Sequence, residues 1–333
     1  MPEPVRWGIL GTATIAREAV IPGMRKSPYD EAATLVAIAS RDLGKAQATA
    51  EQLGIEKAYG SYEQLLADDS IQAVYIPLPN HLHVPYAIKA LEAGKHVLCE
   101  KPITLSAAEA EQLVAAGRRR PELKLMEAFM YRMHPQWRWA REVVQDGRLG
   151  ELTTIHSFFS FFDLDPQSIH NHSDWGGGGL MDIGCYSISL SRFLYDDEPR
   201  RVVASVDYDP RFGVDRLASG IMLFPRGTAT FTCSIQTCDY QRVHVYGTLG
   251  RLELEIPFNA PADFPCRGWT EIDGVLEQVE FEVCDQYGIE IDLFSRAILE
   301  DGPVPTPIDD AVANMRVLDA IVRSGESGGW ETP

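Results

Sequence analysis

The feature that most constrains this chain is an apolar run near its start that ends in a glycine turn and leads into a helix. Residues 5–10 are apolar, Gly11 follows, and residues 17–26 have helical character that Pro22 kinks or interrupts. Further apolar runs at 35–39, 73–78 and 96–99 alternate with helical stretches at 45–53, 83–93 and 106–118. Continuous apolar strands separated by helices predict a parallel sheet that is covered on both faces.

The pattern changes after about residue 125. A helix is predicted at 135–145, and six strand-like stretches follow at 153–162, 202–208, 219–224, 228–235, 242–246 and 252–256. Helices return at 289–300 and 308–323. We therefore predict an α/β chain: a Rossmann parallel sheet in residues 1–125, then an α+β domain in 126–333 with a large, open, mostly antiparallel sheet. The C-terminal helix is expected to pack back on the first domain.

Composition excludes several classes of partner. The 333 residues carry 48 Asp+Glu against 30 Lys+Arg, a formal net charge of −18. A chain this acidic is a poor nonspecific partner for nucleic acid or an anionic membrane surface. The N-terminus, MPEPVRWGIL, lacks a secretory pattern, and six scattered cysteines form no CxxC pair. These observations predict a cytoplasmic protein with free thiols.

The first strand–helix junction has the context of a dinucleotide-binding turn. It contains Gly8, Gly11, Ala13 and Ala16, so alanines hold the second and third glycine positions of the usual GxGxxG pattern. Gly11 can form the tight turn, and the helix N-terminus presents N–H groups to a pyrophosphate.

The end of the second strand favours NADP(H) over NAD(H). Ser40, Arg41 and Lys45 can hydrogen-bond or pair with a 2′-phosphate, whereas a 2′-hydroxyl is usually held by an acidic residue at this place. Asp42 is adjacent, and it can instead simply pair with Lys45 on the surface.

Four segments together carry a family resemblance: GTATIA at 11–16, IPLPNHLH at 76–83, GKHVLCEKP at 94–102 and GGGGLMDIGCY at 176–186. The chain resembles the Gfo/Idh/MocA oxidoreductases over nearly its whole length. Within that family it is most similar to the branch of glucose-fructose oxidoreductase, aldose-aldose oxidoreductase, NADP-dependent xylose dehydrogenase and dimeric dihydrodiol dehydrogenase. The resemblance implies that Lys101, Asp182 and Tyr186 carry or support the chemistry.

The chemistry of these three residues agrees with that role. Asp182 and Tyr186 are four residues apart and share one face of a helix. Oxidation of a hydroxyl needs a proton acceptor, which Tyr186 can be if the Lys101 ammonium lowers its pKa. Asp182 can bind a neighbouring hydroxyl or orient Lys101. Taken singly, Lys101 could also be a surface ion pair with Glu100, and Tyr186 could be core.

The resemblance and the position of each residue along the chain predict the cofactor-binding and substrate-binding residues. The predicted cofactor-binding set is Gly11, Thr12, Ala13, Thr14, Ile15, Ser40, Arg41, Lys45, Pro77, Leu78, Asn80, His83, Glu100, Lys101 and Arg132. The predicted substrate-binding set is Lys101, position 160 of the aromatic strand (Ser160), His172, Trp175, Asp182 and Tyr186. Three alternatives remain open: Arg132 pairs with a carboxylate, His83 caps its helix, and the aromatic strand is core.

The sequence predicts no metal site. Two His-x-His pairs, 81/83 and 170/172, lack an accompanying cysteine cluster or zincin-type helix motif.

The predicted function is NADP(H)-dependent oxidation of the C1 hydroxyl of an aldose to an aldonolactone. A retained cofactor would allow a second sugar to be reduced to a polyol. The alternatives are oxidation of a trans-dihydrodiol or other cyclic diol, and a nucleotide-sensing regulatory protein without turnover. A homodimer formed through the C-terminal sheet is expected.

Overall fold

The chain folds into two compact units. A computed structural model describes residues 3–26 and 28–333. Unit 1 comprises the chain up to Met130 together with Asp285–Val312, and unit 2 comprises Tyr131–Cys284 with Ala313–Pro333.

The elements are as follows. The strands are β1 Val5–Leu10, β2 Ala33–Ala39, β3 Lys57–Tyr59, β4 Ala73–Ile76, β5 His96–Glu100, β6 Leu125–Ala128, β7 Leu152–Phe162, β8 Arg201–Tyr208, β9 Asp215–Phe224, β10 Gly227–Ser234, β11 Gln236–Gly247, β12 Gly250–Leu254, β13 Cys266–Ile272 and β14 Val275–Phe281. The α-helices are α1 Ile21–Met24, α2 Leu43–Leu53, α3 Tyr62–Leu66, α4 His83–Glu92, α5 Ala107–Arg118, α6 Pro135–Gln145, α7 Cys185–Tyr195, α8 Gln286–Leu299 and α9 Asp309–Ser327.

Unit 1 is built on the predicted parallel sheet, whose strand order is β3-β2-β1-β4-β5-β6. Every pairing in it between described strands is parallel. Its strands are apolar on both faces because each face carries its own core. One core includes Leu10, Val74 and Leu113, and the other is centred on Trp7 and Tyr75.

The division into units differs from the single predicted boundary at 125/126. Residues 125–128 form β6, so the sheet of unit 1 continues past that boundary. The segment Asp285–Val312 also belongs to unit 1 because α8 packs on the Trp7 face of the sheet. The Trp7 and Phe294 rings are 5.6 Å apart, and the Trp7 indole donates a 3.0 Å hydrogen bond to Ser295.

Unit 2 contains the predicted large sheet, with strand order β14-β13-β12-β11-β7-β10-β9-β8. Its pairings are antiparallel except that between β10 and β7, which is parallel. The fold class predicted from the sequence is therefore confirmed. One face of the sheet is covered by an aromatic core around Trp137, Phe159 and Phe258.

Helix α6 has a histidine at its N-cap, His134, which can accept the capping hydrogen bond only when its ring is neutral. The Nδ1 atom of His134 accepts a 3.2 Å hydrogen bond from the Gln136 N–H. Burial lowers the pKa of His134 to about 4, and the nearby charge of Arg138 acts in the same direction. A protonated ring cannot accept this hydrogen bond, so acid removes the cap.

We predict that H134N protects unit 2 from acid. The folded pKa lies below the value of about 6.5 in the unfolded chain, so folded protein binds fewer protons and loses stability as pH falls from 6.5 to 4. Asparagine caps helices well without titrating in this range. Relative to H134N, the free energy of unfolding of the wild type should fall by about 3 kcal/mol between pH 7.5 and 4.

Urea unfolding followed by tryptophan fluorescence at several pH values measures this difference. Parallel pH dependence in the two proteins would contradict the role of His134.

Candidate active site

The carboxyl edge of the unit 1 sheet has a place where the strand order reverses. Strand β1 lies between β2 and β4, so the chain turns to opposite sides after β1 and after β4. Ligands of open α/β sheets bind at such a switch point. The predicted glycine turn follows β1, the segment from Pro77 to Asn80 follows β4, and Lys101 follows the neighbouring strand β5.

The glycine turn has the conformation that the sequence predicts. Gly11 has a φ of +121°, and a Cβ there would lie 3.1 Å from Leu78. A side chain is therefore disfavoured by both backbone conformation and contact. The Arg17 side chain steadies the turn by donating to the Thr12 carbonyl (3.2 Å) and the Thr14 hydroxyl (3.3 Å).

The helix after this turn starts irregularly. Residues Ala16–Val20 form a π-helical turn before α1, and the Ala13 carbonyl accepts from the Arg17 N–H at 3.2 Å. Such turns are rare and occur often at functional sites. Pro22 lies in the first turn of α1, so the interruption predicted at Pro22 corresponds to a change of helical type just before it.

The end of β2 presents a hydroxyl and two cations. Ser40 is buried and its hydroxyl accepts from the Asp42 N–H at 3.3 Å, while Arg41 and Lys45 are exposed. The Asp42 carboxylate accepts from the Lys45 backbone N–H at 3.2 Å, which caps α2. Asp42 is thus engaged at the helix N-terminus. These residues fit a phosphorylated nucleotide, with the cations beside the ribose position and N–H groups at the glycine turn.

Lys101 lies in a loop whose backbone is held on both sides by carboxylates. Glu100 accepts from the Lys101 N–H at 3.2 Å, and Glu127 accepts from the Ile103 N–H at 2.8 Å. The peptide bond between Lys101 and Pro102 is cis. Glu100 also accepts from the Tyr75 hydroxyl at 2.5 Å. The cofactor-contact role predicted for Glu100 stays a prediction; the structure shows it supporting the loop.

His83 joins this loop to the turn after β4. Its Nδ1 is 2.9 Å from the Pro102 carbonyl oxygen and its Nε2 is 2.6 Å from that of Leu78. The residue is completely buried, and burial lowers its pKa to about 4 although both carbonyls favour the protonated ring. Its side chain neither caps α4 nor reaches the surface. The structure thus shows His83 holding the loop, and its predicted cofactor contact stays a prediction.

Behind the loop lies a buried acidic cluster that sequence reasoning missed. Glu290 of α8 is 2% exposed, and burial together with the charges of Glu100 and Glu127 raises its pKa well above the usual value. Burial and the Glu100 charge likewise raise the pKa of Tyr75. Burial and these acidic neighbours therefore favour the protonated form of Glu290. The sequence feature that could have indicated this cluster is the presence of Glu127 within apolar β6 and of Glu290 within α8.

Unit 2 places Asp182 and Tyr186 at the start of one helix. Asp182 lies in a π-helical turn, Leu180–Gly184, and Tyr186 lies in the first turn of α7. The preceding glycines make the turn that the sequence predicts, with φ values of +79° at Gly176 and +109° at Gly178.

A buried carboxyl group holds this glycine turn. Asp215 accepts a 2.6 Å hydrogen bond from the Leu180 N–H, and a Cβ on Gly178 would lie 2.0 Å from its Oδ1. Burial raises the pKa of Asp215 to about 7; hydrogen bonds from Leu180 and Gly179 oppose this rise, and the Asp182 charge adds to it. Sequence reasoning did not identify Asp215, which gives no motif signal.

Tyr186 is 3% exposed and lies in the aromatic core. Its ring centroid is 5.3 Å from that of Phe258, 5.5 Å from Tyr131 and 5.8 Å from Phe159. Packing on three sides fixes the ring, which is the preorganisation that a proton acceptor needs.

The other predicted residues are placed as follows. Arg132 is buried and donates to the Ser189 hydroxyl at 2.7 Å, and its predicted cofactor contact stays a prediction. Ser160 is buried and donates to the Cys238 carbonyl at 2.6 Å. The rings of His172 and Trp175 stack at 4.0 Å.

In the aromatic strand, only Phe159 is in the buried core. Phe158 and Phe161 are partly exposed, and Phe162 is exposed. The core alternative therefore applies to one of its four phenylalanines.

Within residues 3–26 and 28–333, no helix is long and apolar enough to cross a membrane. No group of three or more His, Cys, Asp or Glu residues in the same ranges is arranged to hold a metal ion.

Comparison with known proteins identifies the family. Residues 5–129 match the oxidoreductase family with an NAD-binding Rossmann fold, and residues 137–253 match the GFO/IDH/MocA C-terminal domain. The chain belongs to the GFO/IDH/MocA oxidoreductase family. It is an oxidoreductase whose first unit is an NAD(P)-binding Rossmann fold.

Three similar proteins show the range of the family. The chain is 42% identical to the NADP(+) D-xylose 1-dehydrogenase 2 of Haloferax volcanii, over 97% of this chain and 98% of the relative. It is 34% identical to mouse trans-1,2-dihydrobenzene-1,2-diol dehydrogenase, over 75% and 74%. The crystal structure of aldose-aldose oxidoreductase from Caulobacter crescentus matches with a TM-score of 0.90 at 28% identity, over 99% and 100%.

We predict that D215N reverses part of the pH dependence of unit 2. The folded pKa of about 7 lies above the unfolded value of 3.8, so the stability from this group is complete below about pH 4 and is lost as pH rises to 7. Asparagine keeps an acceptor for Leu180 without a charge. Between pH 4 and 8 the wild type should lose about 4 kcal/mol relative to D215N.

The comparison is made by urea unfolding at pH 4, 6 and 8. A constant stability difference between the two proteins across this range would refute the assignment to Asp215.

Proposed function

We propose that this protein oxidises the C1 hydroxyl of an aldose to the aldonolactone with NADP(H) as cofactor. The observation that carries the proposal is the Lys101 loop, held at the same carboxyl edge of the Rossmann sheet as the glycine turn. The similarity to a xylose dehydrogenase over nearly the whole chain supports the substrate class.

Each of the three candidate catalytic residues has a distinct role in this proposal. Bound NADP+ supplies the hydride acceptor for the hydrogen on C1. The Tyr186 phenolate accepts the proton of the C1 hydroxyl, so that the C1–O bond becomes the lactone carbonyl. Lys101 donates a hydrogen bond to the reacting oxygen and favours ionisation of the phenol. Asp182 accepts from a neighbouring sugar hydroxyl.

We predict that Y186F loses at least 100-fold in kcat and keeps the NADP dissociation constant of the wild type. Removing a positioned proton acceptor costs about 10²- to 10⁴-fold in rate. Xylose and glucose oxidation is followed by NADPH absorbance, and nucleotide binding by fluorescence titration.

Y195F is the matched control because Tyr195 ends the same helix and donates to the Thr228 carbonyl at 2.8 Å. Turnover by Y186F within a few-fold of the wild type would overturn the assignment.

In this proposal the preference for NADP over NAD comes from Ser40, Arg41 and Lys45, which would bind the 2′-phosphate. We predict that R41A raises the NADP dissociation constant about 10- to 100-fold and changes that for NAD less than about threefold, because only NADP carries the phosphate that Arg41 would pair with. Isothermal titration measures both constants.

The control is R118A, since Arg118 is also exposed and pairs with Asp309 at 2.7 Å. Equal losses of NADP and NAD affinity in R41A would remove the argument for NADP.

The open face of the unit 2 sheet supports a homodimer, which we also propose. This face carries a groove of about 620 Å³ lined by Phe158, Ile221, Tyr240 and neighbouring residues. Ile221 is 39% and Tyr240 48% exposed, an apolar exposure that dimerisation would cover.

We predict that I221K converts a dimer of twice 37.0 kDa into a monomer, measured by light scattering during gel filtration. A buried lysine without a partner opposes association. L249K is the control, because Leu249 is 58% exposed in a turn outside the groove. A dimeric I221K, or a monomeric wild type, would contradict this interface.

Two related proteins suggest a second candidate and a longer reaction cycle. The dihydrodiol dehydrogenase similarity favours oxidation of a cyclic diol as the alternative. Similarity to the aldose-aldose oxidoreductase supports reduction of a second sugar by retained cofactor. A panel of aldoses and trans-dihydrodiols separates the two substrates, and nucleotide released on denaturation tests retention. Absence of turnover with every member of the panel would favour a nucleotide sensor.

A further inference from the structure

His170 lies between two carboxylates of unit 2. Its Nδ1 is 3.0 Å from Asp163 Oδ2, and its Nε2 is 3.5 Å from Asp182 Oδ2. The side chains of His170, Asp163 and Asp182 are 28%, 18% and 21% exposed. They are thus more buried than ordinary surface ion pairs, whose interactions contribute little.

Backbone hydrogen bonds through Gly178 also connect His170 with Asp182. The His170 carbonyl accepts from the Gly178 N–H at 2.9 Å, and the Gly178 carbonyl accepts from the Asp182 N–H at 3.0 Å. A Cβ on Gly177 would lie 2.5 Å from the His170 carbonyl oxygen, so this contact also depends on a glycine. The imidazole therefore has a defined position relative to the Asp182 side chain.

The other side of the imidazole is anchored to the sheet. Asp163 follows β7, and its N–H donates to the Ile235 carbonyl at 2.8 Å. The Ser168 hydroxyl lies 3.1 Å from His170 Nδ1, and the Phe161 ring packs on the imidazole at 5.1 Å. These contacts place His170 on a fixed support, although it lies in a connecting segment.

Electrostatics set the direction of the hydrogen bonds. Burial acts to raise the pKa of Asp163, but hydrogen bonds from Ser168 and His170 outweigh it and leave the pKa lowered. Asp163 is therefore an anion that accepts from the Nδ1–H. The imidazole thus contacts an anion through Nδ1 and a second carboxyl group, that of Asp182, through Nε2.

We propose that His170 is a positioning residue for Asp182, and that Asp163 holds His170 in this role. The imidazole occupies one side of the Asp182 carboxyl group and restricts its rotation, which sets how Asp182 meets a hydroxyl of the substrate. This inference rests on the proposed function, in which Asp182 binds the hydroxyl next to the reacting one. It adds His170 and Asp163 to the residues that determine sugar affinity.

Kinetics of three variants test the proposal. H170N keeps a donor toward Asp163 but loses contact with Asp182, and its KM for the sugar should rise about tenfold while kcat changes less than about threefold. H170Q places an amide N–H near the original Nε2 and should restore KM to within about threefold of the wild type. D163N should raise KM in the same direction as H170N by releasing the imidazole.

D174N serves as the matched control, since Asp174 is an exposed carboxylate of the same segment. NADP affinity should stay within twofold in all variants, because the predicted nucleotide residues lie in unit 1 except Arg132. An unchanged KM in H170N overturns the proposal. So does a rise of KM in H170Q equal to that in H170N, because a purely structural role would not be rescued by the glutamine amide.

A measurement without turnover separates this inference from the proposed function. H170N, D182N and the double variant are unfolded in urea, and their midpoints are compared. Interacting side chains give shifts that do not add, whereas independent ones add. Additive shifts refute the contact. Non-additive shifts in a protein that oxidises no aldose would uphold the contact while the proposed function fails.

Discussion

The candidate site residues of each unit depend on backbone N–H groups held by buried or half-buried carboxylates. In unit 1, Glu100 and Glu127 accept from the N–H groups on either side of Pro102, and in unit 2 Asp215 accepts from Leu180. Each bond fixes a loop from which a candidate catalytic side chain extends. Since a buried acceptor that loses its donor costs free energy, these loops resist displacement. The side chains of Lys101 and Asp182, which are candidates for catalysis, are partly exposed but extend from backbone that is held in place.

Burying several carboxyl groups close together disfavours their charged forms, and two of them have raised pKa values. Glu290 lies behind the Lys101 loop with a pKa raised well above its usual value, and Asp215 has a pKa raised to about 7. Both are carboxyl groups whose ionisation is opposed by burial and by neighbouring acids. Perturbed groups of this kind cluster at functional sites. Their position beneath the loops, and not on them, indicates that they support the reacting groups.

Much of this arrangement could be predicted from residue patterns, and the exceptions have physical causes. The parallel sheet, the turn at Gly11 and the glycine turn before Asp182 all follow from local periodicity or backbone freedom. The structural role of His83 was not predicted because a motif gives the position of a residue along the chain but does not give its burial. Asp215 and Glu290 were missed because their importance comes from contacts with residues distant in sequence.

Two strands of the second sheet were also missed. In β14 the residues are mostly exposed, so no alternation marks the strand. The Asp273-Gly274 pair was the available signal: both residues have positive φ, and they join β13 to β14 in a two-residue hairpin loop.

The packing of α8 on the Trp7 face has a consequence for synthesis of the chain. Trp7 precedes its hydrogen-bond partner Ser295 by 288 positions along the chain. During translation the strands of unit 1 can therefore pair while the Trp7 face of their sheet still lacks the part of its cover that α8 supplies. Exposed apolar surface of this kind invites association with other chains. Shielding of the nascent Rossmann half, by the ribosome or by a chaperone, is therefore expected to be needed until α8 has emerged.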